Sequence, residues 1–468
     1  MGHFGIDFGT TNSGAFELGG ASQQFFGDEE DRPLPSIVVI DRATGRALGG
    51  RNIWNRRLSY REKGGFTVVP SLKTLLDDAT WHDGQWAVPE LVAVILGLLS
   101  ARAAALGVKD GIRQATFSIP VGLNPQARRT LRKAAEMAGI KVSGFVSEST
   151  AALMRYWPRV RDYRYVAVFD WGGGSLDVSV LELRGHTILE RYTQSMARAG
   201  IHIDEDLARF AHSRIMRERG GDSAFDEMSK DDRNELVVRC ELAKCALSRD
   251  PEAELALEDY AGKGARIILT RQECAPIVAP YIRQAVDLLG RAIRKADVSR
   301  DELREIIVIG GSSQLWLLPE TLGSEFAGKY KLAENPEWDV AHGAAIIERN
   351  PGKFTLAETL GLRLSDETHL DLARPGARPT AESTSLSLAL VDDAPAANVM
   401  IDRWTRERPE PEPALQFSVP AMGFDQEEII LRYRLTEDLT FRISGESTKR
   451  GTRAPEETGE LRFGYQME

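Results

Sequence analysis

Val166-Ala-Val-Phe-Asp-Trp-Gly-Gly-Gly-Ser-Leu-Asp-Val-Ser-Val-Leu181 decides how the rest of the chain is read. It has the form of a strand, a tight turn of three glycines and a second strand. Val166, Val168, Val178 and Val180 supply the β-branched positions. Gly172, Gly173 and Gly174 let the backbone approach something bulky and charged, and Asp170 and Asp177 stand at the two mouths of the turn. Carboxylates beside exposed backbone amides suit a hydrated divalent cation that carries phosphates.

The same pattern occurs near the start of the chain. Residues 3–7 form a short strand, followed by Asp7-Phe-Gly9-Thr10-Thr11-Asn12-Ser13 and a returning strand. One such loop alone is ordinarily just a hairpin. Two of them predict two related lobes with a nucleotide between. Asp7 is placed to hold metal-bound water, and Thr10 and Thr11 to hold phosphate oxygens. A third glycine turn, Gly310-Gly311-Ser312, follows an apolar strand at 305–309 and suits close approach of a ribose or base.

Between these loops, several residues admit two readings. Lys73, among apolar neighbours, is either a snorkelling surface residue or an ammonium beside the terminal phosphate. Glu148, at the start of a helix over 149–156 that Pro158 stops, either offsets the helix dipole or works near the metal. Glu241 and Lys244, three apart on a helix over 231–247, are read as a solvated pair. Further helices are expected over 89–106, over 125–138 with Asn124 as cap, and from Thr270 to about 295, where Glu273 completes a capping box. Val340 to Ile347 is a terminal small-residue helix.

Composition narrows the class. Basic residues number 59 against 69 acidic, a net charge of −10, which argues against a general nucleic-acid binder. Three cysteines, at 240, 245 and 274, give neither a metal pair nor a disulfide framework, so a reduced cytoplasm is expected. No signal peptide is read at the N-terminus, and the apolar run at 86–99, carrying Glu90, is read as a buried helix too short to span a bilayer. No membrane partner is expected.

Taken together in this order, the motifs resemble those of the 70-kDa heat-shock chaperone family, within the actin-like ATPase superfamily. Residues 5–13 look like its first phosphate motif, 169–177 like its second and 309–312 like its adenosine motif. Asn335-Pro336 with Gly343-Ala-Ala345 looks like the end of its ATPase domain. The resemblance implies an α/β fold: an actin-like two-lobed ATPase domain of duplicated ribonuclease H-like cores over 1–350, a linker over 351–358, and a small all-β sandwich-like domain over 359–468. It implies ATP or ADP with Mg²⁺. Asp7 and Asp170 would hold the hydrated metal, Lys73 would position the attacking water, and Glu148 and Asp177 would complete that network. Gly9, Thr10, Thr11, Asn12, Gly172, Gly173, Gly174 and Ser175 would surround the phosphates. Gly200, Glu241, Lys244, Ser248, Gly310, Gly311 and Ser312 would line the nucleoside. Pro120 and Arg128 resemble a relay that reports nucleotide state.

Four departures from that family are read in the sequence. Cys245 and Gln314 stand where arginines usually stack on adenine, which predicts weak discrimination between ATP and GTP. The stretch from Lys73 to Glu148 is shorter than usual. The glutamate motif reads Ser147-Glu148-Ser149 without its usual Asn and Pro. The leucine- and aspartate-rich linker is replaced by residues 349–354, which puts coupling between domains and stimulation by a J-domain protein in question.

In the C-terminal part, Pro351-Gly352 reads as a boundary. Strands are expected at 360–364, 385–391, 414–419, 427–435 and 439–444, with Glu437-Asp438 as a hairpin turn and the proline run at 409–413 as a separator. This part looks like a reduced form of the chaperones' peptide-binding β domain without a helical lid. Unfolded polypeptide or a dedicated protein client is the expected partner, with a J-domain protein or a nucleotide-exchange factor as further partners. The expected activity is slow, Mg²⁺-dependent ATP hydrolysis whose nucleotide state controls the β domain's hold on protein. Two rivals stand beside it. One is a nucleotide-binding scaffold without turnover. The other is a sugar-kinase-like phosphotransferase, which the motif set and the β tail disfavour.

Overall fold

The computed structural model describes residues 2–467 apart from 20–23, 63, 121–122, 351–352, 392, 406–408, 424–426, 437–439 and 462. The chain divides into two compact units. The first comprises Met1–Val121, Thr130–Leu183 and Glu190–Arg349; the second comprises Gly122–Arg129, Arg184–Leu189 and Asn350–Glu468.

Two sheets of matching topology organise the first unit. In one, His3–Phe8 pairs antiparallel with Asn12–Leu18 and parallel with Gln114–Ile119, which pairs parallel with Lys141–Ser147. In the other, Tyr165–Trp171 pairs antiparallel with Leu176–Arg184 and parallel with Leu303–Ile309, which pairs parallel with Tyr330–Leu332. The aspartates fall at the same place in each. Asp7 is the penultimate residue of its strand, opposite Gly14 and Ser118; Asp170 is the penultimate residue of its strand, opposite Asp177 and Ile309. The two-lobe duplication expected from the paired loops is therefore present in the strand order itself.

Helices return after each sheet. Glu148–Arg155 follows the last strand of the first sheet, and Asp339–Arg349 follows the last strand of the second. Small residues let these helices meet at backbone distance. A Cβ on Gly343 would lie 1.7 Å from the Ala151 carbonyl oxygen, and one on Gly5 would lie 2.1 Å from that of Ala341. The Glu148–Arg155 helix is capped by Ser147, whose side chain accepts the Thr150 amide at 3.1 Å. Pro158 does not act as a plain stop. It occupies the first turn of a further short helix, Trp157–Val160, where its missing N–H costs nothing.

The second sheet buries Phe169, Trp171, Val178 and Val180 against Gly200–Glu218, Lys230–Leu247 and Arg271–Lys295. Each fully buried Val or Leu adds roughly 2 kcal/mol of hydrophobic stabilisation. The capping box at Thr270 and Glu273 forms as read, and Pro276 and Pro280 lie inside that helix. The helix expected over 89–106 is present within one residue of those bounds, and it is longer than the apolar run at 86–99, which by itself is too short to span a bilayer. Val88–Ala105 is one 18-residue helix, long and apolar enough to cross a membrane by length and composition. Here Val88, Leu91, Val92, Ile95, Leu96, Leu99 and Ala103 are buried, and the helix lies on the strands Asn12–Leu18, Gln24–Phe26, Val38–Asp41 and Arg46–Gly49.

Strands are the regular elements among the described residues from 353 to 467. One antiparallel sheet has the order His369–Ala373, Thr359–Arg363, Ala396–Trp404, Glu412–Pro420. The other has the order Thr384–Ala389, Glu428–Leu435, Thr440–Ser447, Glu457–Glu460. Leu360, Leu362, Val399, Ile401, Phe417 and Val419 from the first share one apolar cluster with Ile429, Leu431, Phe441 and Ile443 from the second. His369–Ala373 and Ala396–Trp404 were not anticipated. The proline run is only partly a separator, since Pro413 pairs with Asp402 inside the ladder. The stretch read as linker contains the strand Lys353–Leu356, with Leu356 in the core. The boundary at 351–352 and the hairpin turn at 437–438 lie outside the described residues.

Two outcomes follow from the helix contact. Gly343→Ala forces the helices apart and is expected to cost about 2–3 kcal/mol, read as a lower urea midpoint. His342, on the same helix, stacks on Phe16 at 3.9 Å, and burial with Arg155 nearby holds its pKa down at about 4. The fold thus favours the neutral ring. That stabilisation is complete above the ordinary pKa of 6.5 and is lost as pH falls toward 4. His342→Phe should lose about 1–2 kcal/mol less than the native chain between pH 7 and 4.5, measured by denaturant titration at both pH values.

Candidate functional site

The three glycine turns converge on one cleft of about 1130 Å³, open to solvent, in the first unit. Asp7, Gly9, Thr10, Thr11 and Asn12 come from the first hairpin. Asp170, Gly172, Gly173, Gly174, Ser175 and Asp177 come from the second. Gly310, Gly311 and Ser312 come from the third turn, and Lys73, Glu148, Gly200, Glu241 and Lys244 also line the cleft.

The hairpins face each other at distances only glycine permits. A Cβ on Gly173 would sit 3.0 Å from Thr11 Cγ2, and one on Gly174 would sit 2.9 Å from Thr11 Oγ1. A Cβ on Gly200 would come within 2.7 Å of Ser312 Oγ and 3.2 Å of Lys244 Nζ. Gly310 has φ of 82°, and a Cβ there would lie 2.6 Å from Asp170 Oδ1. The turns are tied together: Ser312 Oγ donates to the Gly172 carbonyl at 2.7 Å, and the Ile201 amide donates to that of Gly173 at 2.9 Å.

Charge is concentrated at the floor. Lys73 is not a surface snorkel; its side chain is 9% exposed and forms an ion pair with Glu148. Ser118 Oγ donates to Asp7 at 2.6 Å, and Ser175 Oγ donates to Asp177 at 2.8 Å, with Ser195 on its other oxygen. Burial, reinforced by Glu148, Asp7 and Asp177, drives the Asp170 carboxyl well above its usual range. Burial also raises Asp7, against the pull of Lys73 and Ser118. Burial pushes Glu148 up to about 7, with Asp7 and Asp177 adding to the rise and Lys73 opposing it. Lys73 loses solvent but gains Glu148, Asp7 and Asp177, and its pKa rises. Four carboxylates thus share one ammonium, an arrangement short of positive charge.

These residues fit a metal-bound polyphosphate. The floor calls for added cationic charge, and Thr11 Oγ1 is buried without a hydrogen-bond partner among the described residues. No three His, Cys, Asp or Glu side chains converge at ligand distance among the described residues.

At the other end of the cleft, Glu241 and Lys244 do not pair with each other. Glu241 accepts the Trp54 indole N–H at 3.0 Å. Lys244 is buried, pairs with Asp204 at 2.7 Å and donates to the Gly200 carbonyl at 3.1 Å. Cys245 lines the cleft, whereas Gln314 is exposed beyond it and donates to Ser313 Oγ at 3.4 Å. Ser248 is not a lining residue. It lies one helical turn past Lys244, and its hydroxyl donates back to the Lys244 carbonyl at 3.2 Å. Pro120 lines a small recess behind the floor with Glu148, Asp170 and Asp177. Arg128 is buried in the second unit. Trp54, Asp204 and Glu337 line the cleft without having been singled out in the sequence, where no motif marks them.

A model of the Hsp70 protein family matches residues 66–360, more than half of the chain. The chain belongs to the Hsp70 family. It is 27% identical over 398 residues to "Heat shock 70 kDa protein, mitochondrial" of Dictyostelium discoideum, covering 79% of this chain and 59% of that protein. It is 26% identical over 394 residues to "Chaperone protein HscA homolog" of Bordetella petrii, covering 78% and 62%. The chain therefore spans about 60% of the length of these curated relatives. Membership implies an actin-like two-lobed ATPase architecture, in keeping with the paired sheets of the first unit.

The crowded floor has a stability consequence. Asp170→Asn removes one carboxylate from the cluster at unchanged shape. It is expected to raise the Tm of the chain by roughly 3 °C, checked by scanning calorimetry.

Proposed function

We propose that this Hsp70-family chain binds ATP or ADP with Mg²⁺ in the cleft of its first unit and hydrolyses ATP slowly. The observation that carries this reading is the buried Lys73–Glu148 pair set among Asp7, Asp170 and Asp177, where both phosphate hairpins meet. Residues 1–350 then act as the nucleotide-binding domain.

In this reading, Thr10, Thr11, Asn12 and Ser175, with the amides of residues 172–174, hold the phosphates. Gly200, Glu241, Lys244, Gly310, Gly311 and Ser312 border the nucleoside. Asp7 and Asp170 would hold a bound Mg²⁺ through its waters. Bound Mg²⁺ would neutralise charge on the phosphate oxygens. Lys73 orients the attacking water with its ammonium, anchored by Glu148. Glu148, beside Lys73, is placed to take a proton from that water, and Asp177 accepts a second hydrogen bond from it. Cys245 in place of a stacking cation leaves the base loosely discriminated.

The residues from 359 onward are proposed to form a small β domain that grips extended, unfolded polypeptide or one dedicated client, in response to the nucleotide. The relatives' printed names, a heat shock protein and a chaperone, support this reading. A J-domain protein or a nucleotide-exchange factor is a further partner in this reading, and the three free cysteines suit the cytoplasm.

Lys73→Ala should reduce phosphate release at least about 100-fold while nucleotide affinity falls far less, measured by single-turnover hydrolysis and calorimetry. Equal release by the variant and the native chain would remove Lys73 from the chemistry and leave a nucleotide-binding scaffold as the better description.

A further inference from the structure

The glutamate motif of this chain, Ser147-Glu148-Ser149, lacks the Asn and Pro usual at those places, and the fold shows what stands in for them. Ser147, Ser149 and Thr150 all donate their hydroxyls to a single oxygen, Glu190 Oε1. The Ser149 bond is 2.7 Å and the Thr150 bond 3.2 Å. Ser147 does double duty, since its oxygen also accepts the Thr150 amide at 3.1 Å as the helix cap. Ser149 and Thr150 are buried, Glu190 is partly buried, and no cation partners it among the described residues. A carboxylate would not be kept there without its hydrogen bonds. The three donors flank Glu148 on both sides, and Glu148 is the first residue of the helix they start.

We infer that Glu190 is the positioning residue of the candidate hydrolytic site: it locks the first turn of the Glu148–Arg155 helix and so aims Glu148 at Lys73. Glu190 makes no contact with nucleotide in this role; it acts through the Ser147–Thr150 turn. A loose turn would let the Glu148 carboxylate swing by an ångström or more. A displacement of that size at the floor is enough to slow a positioned hydrolysis. Because all three donors meet Oε1 alone, an amide oxygen can replace the carboxylate. The geometry, not the charge, is what Glu190 supplies. This role rests on the cleft being an ATPase site, whereas the locking of the turn does not.

The test uses the full chain with Glu190→Gln and Glu190→Ala, reading amide hydrogen exchange at residues 148–151 without ligand, and single-turnover ATP hydrolysis. The Gln variant should match the native chain within twofold in both. The Ala variant should exchange at least about tenfold faster and hydrolyse about tenfold more slowly, with ATP affinity within twofold. A merely structural role would lower Tm in the Ala variant yet leave turnover per folded molecule unchanged, and that result overturns the inference. Equal losses in the Gln and Ala variants overturn it too. If the native chain shows no turnover, the ATPase reading fails, and exchange still decides whether Glu190 locks the turn: native rates in the Ala variant would sink it. Should Glu190→Ala not fold, Ser149→Ala with Thr150→Val removes two of the three donors and leaves the Ser147 cap in place. That pair is expected to speed exchange at residues 148–151 and to slow hydrolysis about tenfold. Native exchange and native turnover in the pair overturn the inference.

Discussion

The first unit is built around an electrostatic imbalance. Asp7, Glu148, Asp170 and Asp177 meet around a single buried ammonium, Lys73, where two strand-turn-strand units face each other. Such a cluster is unfavourable by itself, because each carboxylate raises the energy of ionising the next. It persists because rigid elements on every side hold it. Asp7 and Asp170 are fixed in ladders, Lys73 follows a strand end, and Glu148 begins a helix. The fold thus stores an unsatisfied demand for positive charge at one point, which a divalent cation would meet.

Holding the cluster requires the two halves to approach closely, and glycine makes that possible. The contact between Gly343 and the Ala151 carbonyl joins the two helices that follow the sheets. Gly173, Gly174 and Gly310 bring the turns onto Thr11 and Asp170. These positions are far apart in sequence but serve one end. They remove side-chain bulk wherever backbone from one half must touch the other, so strand ends that carry charge can converge.

Much of this was legible in the residues. Paired Asp–Gly–hydroxyl turns after β-branched runs carry a local signature, and so do the capping residues Asn124 and Thr270. The pattern therefore located the hairpins, the helix starts and the glycine turns that line the cleft. What stayed hidden depends on tertiary placement. Ser248 shares the helix of Lys244, but one turn is enough to carry it off the cleft wall. Gln314 sits beside the third glycine turn yet points outward. Asp204 and Trp54 carry no motif, and only packing brings them to the cleft. In the second unit, His369–Ala373 and Ala396–Trp404 escaped notice because half-exposed strands with mixed polar content lack a clean two-residue period.

Trp54 illustrates how such an unmarked residue can matter. Its indole N–H is bonded to Glu241, so one of the chain's eight tryptophans joins the short helix Arg51–Asn55 to the helix Lys230–Leu247 beside the cleft. The emission colour of an indole depends on the charge and water around it. Any widening of the cleft that parts this pair would expose the ring and shift its light to the red. The molecule therefore carries a built-in optical gauge of its own opening, available without an attached dye.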